Sequence, residues 1–586
     1  MKRVLLVFLL AFLFPWSCLA SEITIPVDRV EFASQMDYLL EGYDYYGRFS
    51  GTLLLADEDG VFYQNSFGFR DFEGNLPNTS ASVYGIGSIS KSFTSAGIMK
   101  LVEEEKLNLD DKVSMFFPAL GEEAGEITIH NLLRMSSGIH EDIGRSKTYE
   151  IDDVVFPESW EIDLEDLIHY FGELNLDFSP GQEYDYSNMN YIILGGIIEK
   201  ISGKSYPDYL RENFWEPLEM NSTGFGRESI EESLLAKPYV GLPLEHKTPD
   251  FWHSSWYLGA GGIYASAEDL YIWMRNLNNY QVLDPDSTEE IFKAQQGSYG
   301  YGWQIESRLG YDYFNHIGGD LGYVGEAGFF PELGIYLVLL TNHSHELLEL
   351  DRTVRVNGEI INQTLNSFFG NPVSTLPIPR EQAEIEIGER VSIGGYGFSF
   401  QKNQGEVSIT SIQEDVSLLD VFFQQNKTED GNRFDMVKEL AKAYGNEDFR
   451  FIRRNSVFMI RVIVSESRLE STWKEITGET GEFVSYNVYS IPGEEADSNF
   501  FYRIRLVYDE KEVGLILNLT SRNRIEGMHI DRNFSFGGPR RVEASIIDQN
   551  TLFVDGFRYG YPDAHIINDG EGWVFKTHLG ELKIED

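Results

Sequence analysis

Apolar positions along this chain keep two different periods in different stretches. Between residues 28 and 43, Val30, Phe32, Met36, Leu39 and Leu40 recur near helical spacing and predict a helix. The stretch "SGTLLLADEDGVFYQNSFGFR" then predicts two strands around a turn from Asp57 to Gly60. Helical spacing returns from Ser88 to about Leu107, through Phe93, Ala96, Met99, Leu101 and Val102. Further helices are predicted near 127–136, 164–173, 190–202, 267–277 and 287–295. Within 300–341, "YGYGWQI" and "GIYLVLLTN" read as strands, and 347–368 reads as a closing helix. Strands at both ends with helices between them predict one mixed α/β domain whose sheet gathers the two ends.

The proline-rich stretch "GNPVSTLPIPRE" (370–381) breaks this pattern and is taken as a linker over 371–381. Beyond it, runs such as "VFMIRVIV", "FFYRIRLVY" and "VGLILNLT" dominate, with one helical interruption, "FDMVKELAKAY". Residues 382–586 are therefore expected to form a mostly antiparallel β domain, a barrel or a sandwich.

Composition adds compartment and partner. The chain of 586 residues is 42% hydrophobic and 14% aromatic, enough for large cores in more than one domain. Lys2 and Arg3, the apolar run "VLLVFLLAFLF", and small residues at Cys18 and Ala20 predict a signal peptide over 1–20. The run is short for a membrane span, so no stable span is expected once it is cleaved. The mature chain of 21–586 would hold no cysteine, because Cys18 is the sole one, which excludes disulfides and thiolate chemistry there. An exported protein of this kind is expected in a bacterial periplasm or outside the cell. The net charge of −47, spread along the chain, repels phosphate backbones and argues against a nucleic-acid partner.

Candidate chemistry begins at "GIGSISKSFTS" (85–95). A serine hydroxyl needs a base within hydrogen-bond reach and donors aimed at the developing oxyanion. If a helix starts at or before Ser88, Lys91 lies one turn on along the same face, and the Ser88 amide is among the unpaired N–H groups of the first turn. Spacing alone does not single it out, since Ser399/Lys402 and Ser471/Lys474 repeat it. In a strand, however, a lysine three residues on faces the other side. Tyr186 and Asn188 precede a predicted helix, and His316, Ile317, Gly318 and Gly319 lead into a strand-like run. A phosphate loop is excluded at 316–319 because no helix follows. No Gly-x-Ser-x-Gly elbow and no His-Glu-x-x-His pair is present. His343 and His345 read as solvated residues ahead of the closing helix.

Taken together, "FSGTLLLADEDGVFYQNSFGFRD", "YGIGSISKSFTSAGIMKLVEEEKLNLDDKVSMFFP", "ITIHNLLRMSSGIH", "FSPGQEYDYSNMNYIILGGIIEKISG", "GAGGIYASAEDL", "YGYGW" and "HIGGDLGYVG" resemble the penicillin-binding and class C β-lactamase-like serine hydrolases. That group includes β-lactamases, DD-peptidases, D-aminopeptidases and esterases, and the resemblance covers roughly 30–370. It implies an α/β (α+β) domain over 21–370, an antiparallel sheet flanked by helices with a helical subdomain. It also implies that Ser88 forms an acyl-enzyme while Lys91 and Tyr186 share the base work. Asn188, His316 and Gly318 would contact substrate, the backbone N–H groups of Ser88 and Gly319 would bind the oxyanion, and no metal or cofactor would be required.

His316 stands where β-lactamases of the group usually carry a charged lysine, and histidine is mostly neutral near pH 7. The expected substrate is therefore an ester or a D-amino-acid peptide or amide. A β-lactamase or a penicillin-binding DD-peptidase is the alternative, and a catalytically silent penicillin-recognising sensor or scaffold is the reading without catalysis. The β-rich domain is expected to cover the cleft or to contact an envelope polymer.

Overall fold

Alternating side chains of one antiparallel sheet serve two separate cores. The computed structural model describes residues 28–585, except for some short stretches and the longer segments 140–147, 168–175, 241–247, 379–389, 413–430, 453–482, 492–499, 532–540 and 555–563. The signal-peptide expectation and Ser471/Lys474 lie outside the described residues, as does His345. Helix α1 (Arg29–Tyr45) starts at Asp28, whose carboxylate caps the amides of Val30 and Glu31. The predicted hairpin follows as β1 (Gly51–Asp57) and β2 (Gly60–Phe67). A short strand β3 (Val83–Gly85) leads into a 3₁₀ turn, Gly87–Ser90, and then into α2 (Lys91–Glu103). Ser88 thus sits in a tight turn before the helix instead of in its first α turn.

Helix α3 (Asn188–Ser202) ends at Gly203 in the left-handed conformation. Strand β4 (Ile263–Ser266) pairs with β3, and Ser266 caps helix α4 (Ala267–Asn278). Strands β5 (Gln304–Arg308), β6 (Tyr311–Asp320), β7 (Tyr323–Phe330) and β8 (Ile335–Thr341) complete the main sheet, in the order β5-β6-β7-β8-β1-β2. Gly51 to Ala56 pair antiparallel with Thr341 to Tyr336, so the sheet joins both ends of the domain.

Leu54, Ala56, Val338 and Leu340 face the core shared with α2, α3 and α4. Leu53, Leu55, Leu337 and Leu339 face the other core, under α1 and the closing helix α5 (Leu350–Phe368). Each such fully buried leucine contributes roughly 2 kcal/mol relative to exposure. His343, read from sequence as solvated, is 3% exposed. It lies in a two-residue strand, His343–Ser344, paired with Tyr239–Val240, an arrangement that sequence spacing does not encode.

The C-terminal region forms a closed barrel of eight strands: β9 (Arg390–Ile393), β10 (Tyr396–Asn403), β11 (Glu406–Ser411), and, after an insertion, β16 to β20. The insertion comprises α6 (Gly431–Gly445) and a four-stranded sheet, β12 (Phe483–Ile491), β13 (Phe500–Tyr508), β14 (Glu512–Leu519) and β15 (Ile525–Asp531). The barrel resumes with β16 (Arg541–Asp548), β17 (Thr551–Val554), β18 (Ala564–Asn568), β19 (Trp573–Thr577) and β20 (Gly580–Glu585). Strand β11 pairs directly with β16, and β9 pairs with β20 to close the ring. The barrel alternative is the observed one, and the helix seen in sequence belongs to the insertion.

Phe553 of the barrel packs on Tyr46 at the end of α1, with ring centroids 5.0 Å apart, and joins the core under α1 and α5. The first part of the expected linker lies against the same surface, where Tyr46 OH donates to Pro377 O at 2.8 Å. Among the described residues no helix is long and apolar enough to cross a membrane.

Candidate active site

The turn that carries Ser88 is pressed against strand β6. A Cβ on Gly318 would lie 1.9 Å from Ile86 O, and one on Gly87 would lie 2.6 Å from Gly319 O. Two backbones meet there with no room for side chains, and Gly87 adopts φ +49 to make the turn. This contact brings the backbones of the Ser88 turn and of Gly319 side by side.

Ser88 is half-buried, and two donors converge on its Oγ: Lys91 Nζ at 2.9 Å and Tyr186 OH at 2.8 Å. Lys91 is 0% exposed. An ammonium so enclosed is costly unless its hydrogens are matched, and three acceptors stand around it. Besides Ser88 Oγ these are Asn188 Oδ1 at 2.8 Å and Ala260 O at 2.7 Å. The Lys91 ammonium also lies 5.0 Å from the Tyr186 ring centre and 5.8 Å from that of Tyr191. Asn188, expected to contact substrate, holds Lys91 through its side-chain oxygen.

His316 lies on β6, its ring 6.2 Å from that of Tyr186. Its ring is 1% exposed, and both nitrogens are occupied by the protein. Nδ1 is 2.7 Å from Ile317 O, and Nε2 is 3.0 Å from Tyr299 OH. A carbonyl only accepts, so the Nδ1 proton belongs there and Tyr299 donates to Nε2. Burial, and then the Lys91 charge, push the His316 pKa from 6.5 down to about 3. The imidazole is therefore neutral, with both nitrogens bonded to protein groups. Tyr299 is edge-on to both His316 and Tyr186, with ring centroids 5.8 and 6.1 Å away, and the His316 and Tyr186 rings lie 6.2 Å from each other.

Ser88, Lys91, Tyr186 and Asn188 meet as one group, with Gly318 and Gly319 against the Ser88 turn and His316 beside Tyr186 and Tyr299. Ser399 does not share such company among the described residues: it lies opposite Thr410 in the barrel, and its Oγ donates to Thr410 O at 3.4 Å. Sequence reasoning missed Ala260 and Tyr299. The only available signals were the glycine-rich "GAGGIYAS" and the repeated tyrosines of "YGYGW". Among the described residues no group of three or more His, Cys, Asp or Glu is placed to hold a metal ion.

The family described as Beta-lactamase matches residues 36–358, more than half of the chain. Protein flp of Staphylococcus aureus (strain NCTC 8325 / PS 47) is 31% identical over 267 residues, 44% of this chain and 50% of that protein. A putative penicillin-binding protein PbpX of Bacillus subtilis (strain 168) is 29% identical over 261 residues, 44% of this chain and 62% of that protein. The chain thus spans about half the length of the first curated relatives it matches. Among solved structures, the octameric penicillin-binding protein homologue from Pyrococcus abyssi aligns with a TM-score of 0.50 at 22% identity, covering 86% of this chain and 100% of that one. That likeness reaches beyond the sheet domain and concerns the fold.

Proposed function

The chain belongs to the Beta-lactamase family, and on that footing we propose that it is a serine hydrolase in which Ser88 carries the acyl group. The observation that carries this reading is the convergence of Lys91 Nζ and Tyr186 OH on Ser88 Oγ. The Lys91–Tyr186 pair acts as base from the state in which it carries one proton fewer than an ammonium and a phenol together, and as Oγ bonds to the substrate carbonyl carbon the Ser88 proton fills that vacant place. The same pair returns a proton to the departing alcohol or amine. The carbonyl oxygen, now negative, lies between the N–H groups of Ser88 and Gly319. Water then takes the leaving group's place, and the reverse proton movement frees Ser88.

Esters and D-amino-acid amides or peptides are the substrates we propose ahead of β-lactams. At the third station stands His316, neutral and enclosed, and Lys91 is wholly occupied by three acceptors. Neither offers an exposed charge to a substrate carboxylate. Export through residues 1–20, a periplasmic or extracellular site of action, and contact of residues 382–586 with an envelope polymer complete the proposal.

The test is a panel of p-nitrophenyl esters, D-alanyl amides and peptides, and a chromogenic cephalosporin, run with wild type and Ser88→Ala alongside fluorophosphonate labelling. Labelling and turnover are expected in wild type alone, with the cephalosporin the poorest substrate. Equal labelling of both proteins sinks the serine-hydrolase reading, and a cephalosporin turned over fastest reverses the substrate ranking.

A further inference from the structure

A second set of buried hydrogen bonds lies one turn further along α2. Lys91 and Thr94, three residues apart, share one face of the helix. Each holds one of two consecutive carbonyls: Lys91 Nζ donates to Ala260 O at 2.7 Å, and Thr94 Oγ1 donates to Gly259 O at 2.6 Å. A weaker approach of Thr94 Oγ1 to Ser90 O measures 3.4 Å, so the short bond to Gly259 claims its proton. Tyr206 OH stands 2.7 Å from Thr94 Oγ1 and is therefore the donor to it. Burial holds the Tyr206 phenol above its ordinary range, so it keeps that proton.

Lys91, Thr94 and Tyr206 are each 0% exposed. The loop they grip is closed from its other side by α3: Gly259 adopts φ +75, and a Cβ there would lie 2.3 Å from Tyr191 O. Ser90 Oγ accepts from Ile263 N at 3.3 Å a little further along the same loop.

We propose that Thr94, backed by Tyr206, is a positioning residue for the Ser88 reaction. It fixes the Gly259–Ala260 peptide so that the Ala260 carbonyl takes one Lys91 hydrogen and leaves another directed at Ser88 Oγ. Without the Thr94 hydroxyl the Gly259–Ala260 peptide is left to the bond from Ala260 N–H to Tyr257 O at 2.9 Å, and one of the three points that direct the ammonium is less firmly set. This inference rests on the serine-hydrolase reading above.

The experiment compares wild type with Thr94→Val, Thr94→Ser and Tyr206→Phe in ester turnover, fluorophosphonate labelling rate and thermal melting, with Ser88→Ala in parallel. Thr94→Val is expected to lower kcat and the labelling rate roughly five- to tenfold, the scale of one well-placed hydrogen bond, with KM within about twofold of wild type. Thr94→Ser restores most of the rate, and Tyr206→Phe falls between them. A kcat in Tyr206→Phe equal to that of wild type overturns the inference, and so does Thr94→Ser as slow as Thr94→Val. The Tyr206→Phe readout remains available if Thr94→Val does not fold. Turnover that survives in Ser88→Ala sinks the underlying reading, whereas Ser88-dependent turnover indifferent to both hydroxyls sinks only this one.

Discussion

His316 shows how much one side chain's meaning depends on its neighbours. In sequence it is an ordinary histidine at the third station of a serine hydrolase. In the fold, Tyr299 and Ile317 take both of its nitrogens, and burial beside Lys91 lowers its pKa to about 3. Between that value and the ordinary 6.5 the native ring stays neutral while an unfolded chain binds a proton. Stability contributed by the neutral ring is therefore complete above pH 6.5 and is lost as pH falls towards 3, at up to about 1.4 kcal/mol per pH unit. Melting followed from pH 7 to pH 4 is expected to fall more gently in His316→Gln, whose side chain does not titrate. The kcat/KM profile of wild type is expected to lack any inflection belonging to this histidine between about pH 5 and 8. An acid limb that disappears in His316→Gln would contradict this. Ser88 and Lys91 were legible in sequence because a tight turn and the start of a helix set their separation locally. Ala260 was not, because it acts through a backbone carbonyl that leaves no mark in residue type.

At the level of elements, the contact between β6 and the Ser88 turn decides whether the site exists. A methyl group at Gly318 would meet Ile86 O at 1.9 Å, backbone against backbone. Gly318→Ala is expected to cost at least about 3 kcal/mol and to abolish activity, because the turn and the strand must separate. Gly203, at the left-handed end of α3, provides the contrast, since nothing lies within 4 Å of the added methyl and φ is +68. Gly203→Ala is expected to cost only about 1 kcal/mol and to spare kcat. Denaturant unfolding of both variants checks the pair, and similar losses at the two positions would remove close packing as the cause. Most helices were legible from their periodic apolar faces and came within a few residues of prediction. The short pairing of His343–Ser344 with Tyr239–Val240 was not, because two residues carry no period.

On the scale of the whole molecule, the barrel rests on the sheet face that carries α1 and α5, whereas Ser88 belongs to the opposite face. The expectation that the β domain covers the cleft finds no support in that seating. Phe553→Ala, at a residue 1% exposed, is expected to cost about 3–5 kcal/mol while leaving kcat on small esters unchanged. Melting and ester kinetics on the same preparation test both halves, and a large fall in kcat would place the barrel in the catalytic path. Barrel closure was not legible in sequence, since nothing local announces that Ser392 and Ile393 will pair with Glu585 and Ile584.

The sheet of the first domain has a similar long-range seam, where Gly51 to Ala56 pair with Thr341 to Tyr336. A ribosome delivers the chain from one end only, so β1 waits for β8 through nearly three hundred residues of synthesis. A nascent chain halted before Ile335 would already contain Ser88, Lys91, Tyr186 and His316. It would still lack the strand that fixes them relative to one another, and so would be chemically complete but inert.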